Sequence, residues 1–307
     1  MRGDITAAEP LIEESLANSR GNWIMTTLCQ EGLADLARQK GDELRAQALL
    51  GGAVEMCERV NANQKQTFYL GLLAESLWAT GDLGRAVDCL ERAVEVGDGV
   101  TLSHALLMSR MGNFTDAIQW LQRFRESEPD PDRRVMATLA LARLWWWQGD
   151  LERAKKLCEQ AITVLEPTKL QRYLLPAEVL MSCLGGAAGD AVNKPGRAGA
   201  HCGAHVLGEM ALDVATLLSH RCGEWEPNIA QRFIALTVDV PDRGLAFRIA
   251  WVRANLLEQV GDLERAMAVR ERARQALCEL REVLPEMHRQ MFDEHPWVLE
   301  VSRYRVV

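Results

Sequence analysis

One short phrase returns along this chain of 307 residues. Gly149-Asp150-Leu151-Glu152-Arg153-Ala154 recurs unchanged at 261–266 and, with one change, as Gly81-Asp82-Leu83-Gly84-Arg85-Ala86. Self-similarity at a steady period is the mark of stacked repeat units, and it constrains the fold more than any composition can. Gly-Asp-like anchors fall at Gly3, Gly41, Gly81, Gly112, Gly149, Gly189, Gly223 and Gly261, in steps of 38, 40, 31, 37, 40, 34 and 38 residues. Each step has room for two helices and a turn. The anchor supplies that turn: glycine takes the left-handed backbone that ends one helix, and aspartate caps the next by accepting backbone N–H bonds. Glu152 and Glu264 then stand in a first turn, where the helix dipole favours negative charge.

The residues around each anchor keep a helical period. Alanine stands five positions after it, at Ala8, Ala46, Ala86, Ala117, Ala154 and Ala266. Apolar residues follow at +9 (Ile12, Leu50, Leu90, Leu121, Cys158) and mostly small ones at +12 (Ala53, Ala93, Phe124, Ala161, Ala273). Alanine also stands seven positions before it, at Ala34, Ala74, Ala105, Ala142 and Ala254, with Ala37, Leu77, Met108, Trp145 and Leu257 at −4. Spacings of three and four put these on one face, and a repeated small residue marks where two helices cross too closely for a larger one.

Small at −7, large at −4, small at +5, apolar at +9 and small at +12 resembles the tetratricopeptide repeat over most of the chain. Pro129 stands where that family closes a repeat, and Pro167 misses the place by one. The match is strongest at 67–97, 137–167 and 247–277, fair at 26–58 and 100–129, and poor at 170–235. The resemblance implies an all-α, right-handed α-solenoid of about seven helical hairpins. Three parts are expected. Residues 1–183 form an N-terminal array whose first repeat is incomplete, since 4–18 read as a second helix without its first. Residues 184–203 (LGGAAGDAVNKPGRAGAHCG) form a Gly/Ala-rich loop between helices near 170–184 and 201–221. Residues 204–307 hold further repeats and a capping helix. The stretch FIALTVDV at 233–240 reads as a helix end and a loop. The final LREVLPEMHRQMFDEHPWVLEVSRYRVV is similar to the tail after tetratricopeptide arrays in large bacterial signalling and regulatory proteins.

Several function classes are disfavoured. A net charge of −8 is the wrong sign for a nucleic-acid footprint. No run of about 18 apolar residues suits a membrane span, and the N-terminus lacks a signal-peptide core, so a cytoplasmic location is the default expectation. The eight cysteines are scattered and read as reduced, mostly buried thiols. No phosphate loop, dinucleotide fingerprint or nucleophile elbow occurs. The expectation is therefore no enzyme and no cofactor. The nearest approach to a metal site is His201, Cys202 and His205, which needs a further ligand such as Cys183 or Cys222; the fuller reading is no metal.

Three consecutive tryptophans, Trp145–Trp147, cannot share one helical face. Trp145, at −4, is expected to pack on the second helix of its hairpin. The positions −10, −6 and −3 line the concave groove in the family the chain resembles. Carried over, they give Glu31, Asp35 and Arg38; Glu75 and Trp78; Leu102 and Leu106; Leu139, Arg143 and Trp146; and Trp251, Asn255 and Glu258, with Trp147 at −2 beside them. Two readings stand open for Trp146 and Trp147: a groove wall, or packing between repeats. Indoles beside arginines suit a bound peptide or helix. The sequence thus points to a non-catalytic scaffold whose groove takes a peptide, helix or partner domain. The partner is either another protein, an effector domain of the same polypeptide, or a second copy meeting the incomplete N-terminal repeat. The alternative is a small-molecule sensor domain of a bacterial signalling or transcription-regulatory protein.

Overall fold

A computed structural model of the chain describes residues 5–19, 21–97, 101–168, 171–193, 204–220, 227–237 and 243–303. Among these residues every regular element is a helix. Helix α1 (Ile5–Asn18) leads the chain. The hairpins that follow are α2 (Trp23–Gln39) with α3 (Glu43–Arg59), α4 (Asn63–Thr80) with α5 (Leu83–Val96), and α6 (Leu102–Arg110) with α7 (Phe114–Ser127). Next come α8 (Pro131–Trp147) with α9 (Leu151–Leu165) and α10 (Gln171–Leu184) with α11 (Ala188–Asn193). Then come α12 (Ala204–His220) and α13 (Pro227–Leu236), each packed against α11 and α14, and the last pair, α14 (Arg243–Gln259) with α15 (Leu263–Val283); two short helices, α16 (Glu286–Asp293) and α17 (Pro296–Arg303), end the described chain. The fold is an all-α solenoid.

The anchor turns share one hydrogen-bond pattern. At Gly81 the glycine N–H bonds the Trp78 carbonyl and the Asp82 N–H bonds the Leu77 carbonyl, the paired closure that satisfies the last carbonyls of a helix. The same pair of bonds closes α2, α6, α8, α10 and α14, and Asn61 repeats it, with positive φ, between α3 and α4. The residue after the glycine then caps the following helix. Asp42, Asp82, Asn113, Asp150 and Asp262 accept the backbone N–H of Arg45, Arg85, Asp116, Arg153 and Arg265. In the α10–α11 turn the glycine is Gly186, with φ +74°, rather than the expected Gly189. Ala187 stands where the other glycine turns have Asp or Asn, so the phrase was disguised. Helix α11 accordingly lies inside the stretch expected to be loop; residues 194–203 fall outside the described chain.

The alanines at −7 and +5 pack as their spacing requires. Ala34, Ala74, Ala105, Ala142 and Ala254, and Ala46, Ala86, Ala117, Ala154 and Ala266, are all buried. The second helices α5, α7 and α9 bury one stripe and expose the other.

The first helices behave differently, because the array curls back on itself. Helix α14 packs against α4, α15 against α5, and α12 against α2. A Cβ on Gly244 would stand 2.0 Å from the Trp78 Nε1, so only glycine lets α14 approach there. Gly81 faces Arg243 and Leu280, and Gly112 faces His295 and the Met291 carbonyl. Helix α12 has no wet side along Met210–Leu218, where every residue is buried. A helix that is apolar all round belongs in an interior.

Candidate functional site

The inner faces of the first helices are where a groove was expected, and each proposed lining residue can now be placed. Trp78 is 1% exposed and Trp251 is 2% exposed; Trp146 and Glu75 are also buried. These buried side chains do not form an open wall: Gly244 of α14 meets Trp78, Glu300 of α17 meets Trp251 and Asp213 of α12 meets Arg143. The Trp251 Nε1–H donates to Glu300 Oε1 at 3.0 Å, and the Arg270 guanidinium lies 5.5 Å from the Trp251 ring centroid. Arg38 reaches Glu75 Oε2 at 3.4 Å and lies 3.7 Å from Glu43. Arg143 grips Asp213 of α12 with Nε and Nη2 at 2.8–3.0 Å, and the Asp213 side chain is 0% exposed. Asn255 and Glu258 both accept from Arg270, at 3.0 and 2.5 Å. Glu258 and Asp35 are exposed. Glu31 accepts from the Tyr69 hydroxyl at 3.2 Å, and burial holds its carboxyl above the usual range. Leu102 and Leu139 are buried and Leu106 half-buried. Trp145 packs as expected, under the Arg153 guanidinium of α9 at 4.6 Å.

Trp147 joins a site that sequence reasoning missed. Its ring lies 4.8 Å from Trp297 and 6.3 Å from Phe114, in edge-on contacts. His295 completes the group, 5.2 Å from Phe114 and 4.7 Å from Trp297. Around this cluster is a pocket of about 280 Å³ lined by Phe114, Trp147, Thr216, Arg248, His295, Pro296, Trp297 and Glu300. It forms where His295 and the start of α17 meet hairpins α6–α7 and α8–α9, with α12 and α14 also lining it. Arg248 donates to Glu300 Oε2 at 2.5 Å, and its guanidinium lies 5.7 Å from the Trp297 ring. His295 precedes α17 and its Nδ1 accepts the Trp297 N–H at 3.1 Å. Burial, with Arg248 beside it, pushes the His295 pKa down to about 3. The ring is therefore neutral near pH 7, and with Nδ1 accepting, its proton resides on Nε2. The signal in sequence was the phrase Glu294-His295-Pro296-Trp297, a buried histidine before a helix-starting proline, which the repeat period does not reach.

Other expectations can be placed. Cys29, Cys57, Cys89, Cys158 and Cys183 are buried free thiols and Cys278 is exposed; burial raises the Cys158 thiol to about 12. His201 and Cys202 lie outside the described residues, as does the side chain of His205. No group of three or more metal-ligating side chains occurs among the described residues. His104 is buried against Trp120 at 4.8 Å, and burial lowers its pKa to about 4. No described helix is long and apolar enough to cross a membrane.

Comparison with known proteins bears on the hairpins. Two tetratricopeptide-repeat models match, one over residues 69–96 in α4–α5 and one over residues 135–166 in α8–α9. No curated protein matches the chain. Among solved structures the chain is similar to BtubC (BKLC) from P. vanneervenii, at 15% identity and TM-score 0.28 over 92% of each chain. It is also similar to the P58(IPK) TPR domain, at 13% identity and TM-score 0.26 over 99% of this chain and 96% of that one. Superposition this loose carries no argument. The two matched segments coincide with hairpins that share the turn, cap and buried-alanine pattern, and these two hairpins are tetratricopeptide repeats, a repeat type that generally mediates protein–protein contact and is typically non-catalytic.

Proposed function

We propose that this chain is a non-catalytic interaction module that engages a protein partner through an exposed apolar face of helix α2 rather than through the inner groove. The observation that supports this reading is a cluster of apolar side chains left in water. Ile24, Met25 and Leu28 lie within two turns of α2 and are 48%, 43% and 43% exposed. Scattered exposed apolar residues are ordinary, but neighbouring ones mark contact surfaces. A face formed by one helix also suits a partner helix that lays its own apolar stripe alongside. The net charge of −8 fits a protein partner better than nucleic acid. The partner is a helix of another protein or of an effector domain; a second copy is the competing occupant.

Sedimentation of the purified chain separates these. A monomer leaves the face to a different protein, while a dimer assigns it to self-association. In the monomer case, Ile24→Ser with Met25→Ser and Leu28→Ser should abolish co-purification of the partner while the melting temperature stays within a few degrees. Undiminished co-purification by the folded triple variant overturns the reading. The sensor reading is favoured by a separate observation, the pocket around His295.

A further inference from the structure

The pocket at the C-terminal seam has three properties that together select a ligand. Its walls are aromatic, with Phe114, Trp147 and Trp297 presenting rings to one another at 4.8–6.3 Å. Its charges are already balanced, since Arg248 is bonded to Glu300. Two polar atoms of its lining residues, His295 Nε2 and Trp147 Nε1, are buried and have no hydrogen-bond partner among the described residues. His295 is only 2% exposed. Buried donors are almost always satisfied, and one left open costs free energy until something accepts from it. Trp147 Nε1 can only donate, and the neutral His295 ring, with Nδ1 occupied by the Trp297 N–H, donates from Nε2. Two neutral donors beside a balanced ion pair offer no net positive charge to a carboxylate, which would lose its hydration without compensation. A neutral acceptor meets no such penalty. The volume of about 280 Å³ is at the small end for ligand sites.

We propose that this pocket binds a small, uncharged, planar molecule bearing a carbonyl oxygen, an aromatic carboxamide in chemical class. Its ring lies among Phe114, Trp147 and Trp297, and its oxygen accepts from His295 Nε2–H and Trp147 Nε1–H. The site is remote in sequence from the α2 surface and does not depend on the interaction reading. Because α14 and α17 both contribute, with His295 just before α17, occupancy tightens the seam that closes the array.

Benzamide is the probe, with benzoate as its charged counterpart. In the ¹⁵N-labelled full chain, indole N–H resonances are followed during titration, and Trp147→Phe identifies the Trp147 line. Benzamide should displace that line saturably at concentrations up to about 10 mM and raise the melting temperature, with benzoate at least about tenfold weaker. Trp147→Phe keeps an aromatic wall and removes one donor, so ligand-observed NMR should report affinity reduced about tenfold. Thr216→Leu, which fills the pocket from α12, should abolish binding; should that variant not fold, Trp147→Phe decides alone. No displacement of the Trp147 line by benzamide overturns the proposal and leaves the donors to water. Equal binding of benzoate overturns the neutral-acceptor assignment, and unchanged affinity in Trp147→Phe overturns the placement.

Discussion

Within each hairpin the two helices live in different surroundings. The second helices, α5, α7 and α9, are amphipathic, and their outer stripes carry Arg, Glu and Lys into water. The first helices, α4, α8 and α14, are buried over most of their circumference, and α12 is buried over all of its central turns. In an open solenoid both layers keep a wet face, because the inner one lines a groove. Here the inner layer beyond α2 is mostly dry, since α14 meets α4 across the array and α12 is buried along its middle. The outer layer follows from local pattern; the inner one depends on contacts between residues 70 or more positions apart.

Substitution should separate the layers. The largest effect is expected at Asp213, whose carboxylate is the buried partner of Arg143. Asp213→Ala removes the bidentate ion pair with that guanidinium and should cost about 3–5 kcal/mol in chemical denaturation. Arg143→Met with Asp213→Leu should recover most of the loss; failure to do so would mean that the pair is needed for more than charge balance. At the α4–α14 seam, Gly244→Ala drives a methyl into the Trp78 indole and should cost about 1–3 kcal/mol. A neutral result would show that α14 does not sit on α4 in solution, and with it the contrast between layers would disappear.

Protonation tests the inner layer without mutation. The His295 pKa is about 3 when folded against 6.5 for the free side chain. Its contribution is therefore fully present above about pH 6.5 and is lost as pH falls toward 3, because the unfolded chain binds the proton first. Between pH 6.5 and pH 5 this residue should remove about 2 kcal/mol of stability, with His104 acting in the same direction. The slope of denaturation free energy against pH should flatten in His295→Asn. The smallest effect has the opposite sign and belongs to the outer layer. Gly51 lies in mid-α3 with nothing within 4 Å of a Cβ, so Gly51→Ala should stabilise by about 0.5–1 kcal/mol.

Much of the outer layer was legible. The turn glycines, the capping aspartates and the buried alanines each have a local cause, so a single sequence displays them. The weak hairpin was misplaced by three residues because Gly186 is followed by Ala187, which closes a helix but cannot cap the next one through its side chain. The repeat period put Trp78 and Trp251 at groove positions of their helices, yet nothing near them in sequence states what buries them. Gly244, the residue that admits Trp78, sits 166 positions away, and no periodicity links the two. Arg143 read as a groove arginine because its partner belongs to α12, in the stretch where the repeat is weakest. The His295 pocket was missed for a related reason: its residues come from α6–α7, α8–α9, α12, α14 and α17, and only the closure of the array assembles them.

The contact of α14 and α15 with α4 and α5 alters how such a molecule comes apart. A linear stack can unzip from either end, since each unit is held by its immediate neighbours alone. Once a late hairpin is fastened to an early one, neither end is a free boundary, and loss of the last helices strips cover from units near the beginning. Unfolding should then be cooperative across the whole chain, and a deletion at the C-terminus should be felt first in the exchange of amide protons of α4.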